Sequence, residues 1–322
     1  MNVQILSQDL YVLEDGINTG LLVSGTHAVL FNCGDRIDAD VLRGTGVTQV
    51  DMILLTQYRR TTASGVYGLS DMCPAVIVPA DEAPLVERTD DYWRDAKNRW
   101  HIYHFMPDTD VLPRSVAHVR GVRGGEVLQW RGYDIYILDT PGATLGGVSY
   151  TVNVVGTAYC FCGDHIYGDG QMLNLWSLAR PVGRQLGYHG FMAARGELLR
   201  SLKRITDCCD ILIPAHGPVI RHPENAAAML KKRLTEVFAN YASISGMNFY
   251  FPGLIGGVDA PQCMENAEIR PISGHILRIE YTSNLIISGD GAAFLIDCGS
   301  ENVINALEAW LTEGVISSIE GC

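Results

Sequence analysis

Three stretches of this 322-residue chain hold the side chains best suited to chemistry. The first runs Leu54-Leu55-Thr56-Gln57-Tyr58-Arg59-Arg60-Thr61-Thr62-Ala63-Ser64-Gly65. There an apolar segment, Met52 to Leu55, breaks into a polar turn and then a glycine. A strand that hands polar residues to a loop at its C-terminal end is a common way to build an active site. The second is Gly163-Asp164-His165 and the third is Ala215-His216-Gly217-Pro218. Carboxylate and imidazole together are donors for divalent cations. The nine cysteines point elsewhere. Cys208-Cys209 is vicinal and Cys160-x-Cys162 lies within a strand pattern, whereas a zinc site prefers wider spacing and a second pair. A disulfide scaffold would be denser and shorter, so the cysteines read as buried free thiols of a cytoplasmic protein.

The elements that position these stretches can be read in order. Val3-Ile5, Leu10-Leu13, Thr19-Val23 and Ala28-Phe31 read as strands separated by Asp15-Gly16 and Ser24-Gly25; the last ends in Asn32-Cys33-Gly34-Asp35. A short helix from about Asp38 to Arg43 precedes the strand Met52-Leu55, and Ala75-Pro79 is a further buried strand. Residues 81–114 are polar, aromatic-rich and expected to be helical in part, with Trp93, Trp100, Tyr103 and Phe105 lining a cleft or filling a core of their own. His101, His104 and His118 lie in or beside this insertion and are not expected to form a metal site. Strands follow at Val127-Trp130, Ile135-Asp139, Val148-Val155 and Ala158-Cys162, then a helix near 190–206 and the strand Ile211-Pro214. Pro223 opens a second long helix reaching about Ala242. Residues 243–274, rich in Gly, Pro and Ser, read as a linker. Two groups of strands with flanking helices imply a layered α/β arrangement.

Residues 275–322 echo the N-terminus. Ile286-Ile287-Ser288-Gly289 and Ala293-Phe294-Leu295-Ile296-Asp297-Cys298-Gly299 follow Leu22-Val23-Ser24-Gly25 and Ala28-Val29-Leu30-Phe31-Asn32-Cys33-Gly34. An amphipathic helix from Val303 to Leu311 comes next, and Gly314-Val315 matches Gly46-Val47. The expected organisation is a domain at 1–242, a linker at 243–274 and the start of a second, similar unit at 275–322.

Composition narrows the classes. Hydrophobic residues make up 47% and charged residues 19%, enough for a sizeable core. The formal net charge is −12 with no basic run, which argues against nucleic acid or an anionic membrane as partner. The N-terminus lacks the basic and apolar regions of a signal peptide, and no apolar run approaches a membrane span.

Taken together, Asn32-Cys33-Gly34, the loop after Leu55-Thr56, Thr140-Pro141-Gly142-Ala143-Thr144-Leu145-Gly146-Gly147, Gly163-Asp164 and Ala215-His216-Gly217-Pro218 resemble the metallo-β-lactamase superfamily in order and spacing. The resemblance covers residues 1 to about 235 and implies an α/β fold, a four-layer αββα sandwich. Its members usually hold two metal ions that make hydroxide from water to attack an ester, thioester, amide or phosphodiester. Their main loop reads Thr-His-x-His-x-Asp-His. Laid on that frame, the ligand positions here are Gln57, Arg59, Thr61 and Thr62; the histidine after Thr-Pro-Gly is Ala143; the bridging carboxylate is Asp164 and the last histidine is His216. Five of seven ligands are therefore replaced. Asp164 buried without a metal would be an uncompensated charge, and Arg59 is expected to supply the missing cation, with Arg60 as the other choice. His216 is either a loop histidine bonded to a neighbouring carbonyl or a residual ligand. His165 and Asp139 are expected to be structural, and Asn32 stands where the family usually has an aspartate that orients the metal-loop backbone.

These readings favour a non-catalytic scaffold or binding domain of a longer hydrolase, with no cofactor in this chain. Its expected partner is its own second domain or another copy of the chain, with room for a small molecule in the emptied cleft. The alternative is a hydrolase with one zinc, iron or manganese ion on Asp164, His216 and Gln57. A flavin-linked diiron role is disfavoured, because the ligands are missing and no flavin-binding glycine loop is visible.

Overall fold

Alternating apolar residues at the N-terminus pair into a meander: β1 (Asn2–Ile5), β2 (Leu10–Glu14), β3 (Asn18–Ser24) and β4 (His27–Phe31), all antiparallel. Helix α1 (Ala39–Gly44) follows, capped by the Asp38 side chain on the Val41 N–H. It returns the chain to β5 (Gln49–Leu54), which is parallel to β4. Next come α2 (Arg60–Ala63), β6 (Val76–Pro79), α3 (Pro84–Glu87), α4 (Thr89–Arg94) and β7 (Val119–Val122), the last completing a seven-stranded sheet in sequence order. A second, five-stranded sheet holds β8 (Val127–Trp130), β9 (Tyr133–Asp139), β10 (Val148–Val154), β11 (Thr157–Gly163) and β12 (Ile211–Pro214). The crossover helix α5 (Arg195–Thr206) makes β12 parallel to β11. Helix α6 (Pro223–Ile244) follows. The computed structural model describes residues 1–72, 75–98, 111–173, 175–178, 192, 194–244, 269–279, 283–298 and 301–322. Trp100, His101, Tyr103, His104, Phe105 and most of the expected linker lie outside them.

Each sheet presents one apolar face to the other. Leu10, Val12, Leu22, Val29, Phe31 and Leu54 meet Ile135, Ile137, Tyr150, Val152 and Phe161 in one core, where Phe31 and Phe161 stack with ring centroids 3.9 Å apart. Burying such side chains contributes about 1.5–3 kcal/mol each. The opposite face of the first sheet buries Leu21, Leu30, Val50 and Ile53 under Leu42 of α1 and under Val66, Leu69 and Val86. Polar ties join the sheets: the Trp130 indole donates to Asp51 at 2.8 Å, and the Asn18 amide donates to the carbonyls of Pro214 and Gly217. Asp139 accepts from the Gly124 N–H at 2.6 Å, the structural role expected of it.

This arrangement forms the unit Met1–Thr235; Glu236–Cys322 forms another. The second holds β13 (Ile269–Ser273), β14 (Ile276–Ile279), β15 (Ser283–Ile287), β16 (Ala292–Ile296), α7 (Glu301–Glu313) and β17 (Ser318–Gly321) in one sheet of sequential order. β13 to β16 are antiparallel and β17 is parallel to β16. Its core is Ile279, Leu285, Ala293, Leu295, Val303, Leu307 and Ile316. Details of β1–β5 recur. The β4–β5 register shifts between Ala28 and Val29, and that of β16–β17 between Ala293 and Phe294. Asn32, one residue past β4, has φ 59°, and Asp297, one past β16, has φ 62°. The Val47 N–H returns to the Leu42 carbonyl, as the Val315 N–H returns to Trp310.

No helix among the described residues is long and apolar enough to cross a membrane. Cys33, Cys160, Cys162, Cys208, Cys209, Cys298 and Cys322 are free thiols; the last two and Cys208 are exposed, so the expectation of burial holds only in part.

Candidate functional site

Four loops converge at the C-terminal ends of β4, β5, β11 and β12. The loop after β4 turns on Asn32, whose left-handed backbone an asparagine tolerates. Its side-chain oxygen accepts from the Thr56 N–H at 3.0 Å and from the Thr56 hydroxyl at 2.9 Å. The Cys33 N–H donates to the Thr62 carbonyl and the Gly65 N–H to the Cys33 carbonyl, which seats the loop after β5. Gly65 approaches so closely that a Cβ there would lie 2.0 Å from the Gly34 carbonyl oxygen. Gly163, at φ 61°, ends β11 against Thr56 and places Asp164.

Asp164 is the centre of the site and almost wholly buried. The Gln57 amide nitrogen donates to Oδ2, and His216 Nδ1 bonds Oδ1 at 2.7 Å. Arg59 Nη1 stands 3.7 Å from Oδ2, while Arg59 Nη2 donates to the Ala143 carbonyl at 3.2 Å. The guanidinium thus spans from the carboxylate to the loop at 140–147 and is not a two-pronged clamp on Asp164. Burial raises the Asp164 carboxyl, but the His216 hydrogen bond and charge, Arg59 and Gln57 outweigh it and hold the group below the ordinary carboxylate range.

Gln57, Arg59, Asp164, His216 and the backbone of Ala143 therefore meet. Arg60 is exposed, so Arg59 is the cation at Asp164. Thr61 and Thr62 do not line the hole. Thr61 is exposed on the first turn of α2, and the Thr62 hydroxyl turns back to the Arg59 carbonyl at 2.8 Å. His216 bonds Asp164 and not a neighbouring carbonyl; Asn18 already occupies two carbonyls of that turn. His165 is buried with Nδ1 2.7 Å from the Cys162 carbonyl oxygen, a structural arrangement in which burial lowers its pKa. Among the described residues, no group of three or more His, Cys, Asp or Glu side chains is placed to hold a metal.

Sequence reasoning missed Glu82. It is buried behind the loop, accepting the Tyr58 N–H and the Gly146 N–H at 2.9 Å each. It thereby ties the loop after β5 to the loop at 140–147. Burial raises its carboxyl pKa; Thr144, the two N–H groups and Arg59 offset this only in part. The one available signal was an acid at the end of an apolar strand, Val76-Ile77-Val78-Pro79-Ala80-Asp81-Glu82.

No family model and no curated relative matches the sequence. Solved structures do match. A subclass B3 metallo-β-lactamase from a soil metagenome library, MEM-A1, is 18% identical with a TM-score of 0.54, and the match covers 75% of this chain and 97% of that one. The chain has the metallo-β-lactamase fold. An archaeal metallo-β-lactamase superfamily protein from Sulfolobus tokodaii aligns over 71% of this chain and 87% of its own, at 18% identity and TM-score 0.53. A Cronobacter sakazakii metallo-β-lactamase described by a HARLDQ motif aligns over 72% and 87%, at 14% identity and TM-score 0.54.

Proposed function

We propose that residues 1–235 are a non-catalytic metallo-β-lactamase-like domain. Its cation site is closed by an internal ion pair, and it serves as a scaffold or binding domain of a longer hydrolase. The observation that carries this is the commitment of Asp164. One oxygen is taken by His216, the other by Gln57, and the Arg59 guanidinium stands where a positive charge is needed. A hydrolytic metal pair spaced about 3.5–4 Å apart needs several neutral imidazoles and at least one free carboxylate. This donor set offers one imidazole and one carboxylate, already bonded to each other. It does not fit.

A finer part of the same reading is that residues 275–322 open a second unit of this fold. The shared register shift, the paired left-handed residues Asn32 and Asp297, and the matching helix-to-strand turns support it. Any hydrolysis would then belong to that unit.

Metal analysis tests the first part. Protein produced with zinc, iron and manganese supplied should carry each well below one ion per chain. Near-stoichiometric metal that disappears in Asp164→Ala would overturn the proposal. It would support instead the alternative of a one-metal hydrolase on Asp164, His216 and Gln57, the three donors that meet here.

A further inference from the structure

The sheet β8–β12 gathers thiols away from Asp164. Tyr159 and Phe161 of β11 point into the core shared by the two sheets. Cys160 and Cys162 alternate with them along the strand and so belong to its other face. Between α5 and β12 the chain turns through Asp207, Cys208, Cys209 and Asp210. Asp210 clamps this turn to the start of β11. Its N–H donates to the Ala158 carbonyl at 2.8 Å, and its carboxylate accepts the Ala158 N–H at 2.9 Å. Cys209 is thereby set against Cys160, and the two thiols share a hydrogen bond. Both are free; Cys160 is buried and Cys209 half-buried. Their hydrogen bond first, and burial second, raise the Cys160 thiol well above its ordinary value. Cys208 is exposed, but its Sγ donates to the Arg204 and Ile205 carbonyls at 3.2 and 3.3 Å, at the C-terminal end of α5. Burial and the neighbouring Cys209 raise its pKa too, which disfavours the reactive thiolate. The Thr151 hydroxyl, opposite Cys160 on β10, is buried against Cys160 and Cys208. Among the described residues it makes no well-formed hydrogen bond. Oxidation of Cys160 and Cys209 therefore strands no group at Thr151.

Cys209 is the half of the pair that a reagent can reach, and Cys160 is the half placed to complete the reaction. We propose that Cys160 and Cys209 are a redox-active pair, which a low-molecular disulfide of the glutathione class closes into an intramolecular disulfide. The Cys209 thiolate attacks one sulfur of the reagent. A Cys209–S–S–R bond forms, the reagent's S–S bond breaks, and RS⁻ leaves and takes up a proton. The Cys160 sulfur gives up its proton and attacks Cys209 Sγ. The Cys160–Cys209 bond forms, the bond from Cys209 to the reagent's sulfur breaks, and the second RS⁻ takes up that proton. Two protein thiols are oxidised, and one low-molecular disulfide is reduced to two thiols. The bond staples β11, which leads to Asp164, to the turn before β12, which leads to His216. It uses neither Asp164 nor a metal, so it is independent of the reading of that site.

Glutathione disulfide, added to the reduced 322-residue chain at low protein concentration, tests the pair. The reaction is quenched with acid and mapped by non-reducing peptide mass spectrometry. The expected product is a Cys160–Cys209 link that dithiothreitol removes. Cys160→Ala should arrest the reaction after its first step, so that the Cys209–glutathione adduct accumulates about tenfold or more above its level in the unsubstituted chain. Cys209→Ser, a conservative change at a half-buried position, should abolish link and adduct alike, and it tests the pair even if Cys160→Ala fails to fold. Exposed Cys298 and Cys322 serve as references. If they carry glutathione while Cys160 and Cys209 remain thiols, the proposal is overturned. A link through Cys208 or Cys162, a crosslink between chains, or a Cys209 adduct that never closes in the unsubstituted chain would overturn it too.

Discussion

Asp164 and Arg59 are a buried pair whose halves have unequal support. Removing the cation leaves a buried carboxylate that still has Gln57 and His216. Arg59→Met should therefore cost roughly 3 kcal/mol, the low end for breaking a buried ion pair, measured by denaturant unfolding. Adding Asp164→Asn should recover part of the loss, and the double-mutant cycle should show coupling above about 0.5 kcal/mol. The two buried acids should answer pH in opposite directions. Asp164 has a folded pKa below its unfolded one, so its stabilising effect is complete above the unfolded pKa and is lost as pH falls through the folded value. Glu82 has a folded pKa above its unfolded one, so its effect is complete below the unfolded pKa and stability declines as pH rises toward the folded value. Asp164→Asn should flatten the acid limb of a stability-versus-pH curve, and Glu82→Gln the fall above the ordinary glutamate range. A pH profile unchanged in both variants would contradict these assignments.

At the scale of elements, the loops after β4 and β5 stand or fall together through Asn32. Asn32→Ala removes the acceptor for two Thr56 donors and puts an alanine at φ 59°. A loss of about 2–3 kcal/mol is expected from the unpaired Thr56 donors and the backbone strain. Asn32→Asp keeps the acceptor and should fold with nearly unchanged stability, read by thermal unfolding. Much of this layer was legible. Val127–Trp130 and Ile211–Pro214 are strands at the bounds their patterns imply, because turn residues fence short apolar runs. β7 was not legible, since Arg120 and Gly121 interrupt the pattern of Val119–Val122. Helices α2, α3 and α4 are too short to show a period. The helix expected from about 190 is described from Arg195. In the site, Arg59 beside Asp164 could be foreseen because a buried charge needs a partner. That Glu82 would tie two loops depends on tertiary placement no local pattern encodes.

Among the described residues, the two units share the strand order, the left-handed residue after the fourth strand and the turn after the helix, but not the covering sheet of the first. Their boundary near Thr235 falls within α6, a few residues before the composition shift that suggested 242. The guanidinium at Asp164 belongs to the chain itself. A dissociable ion stabilises its protein in proportion to the logarithm of its free concentration, so such a protein weakens when that ion becomes scarce. Here the counter-charge is covalently tethered and always ionised. Its occupancy obeys no mass action. The melting temperature of this fold should be the same in a strong chelator as in a metal-rich buffer, and differential scanning calorimetry in both would show it. In any habitat, starvation for trace elements should leave this fold standing.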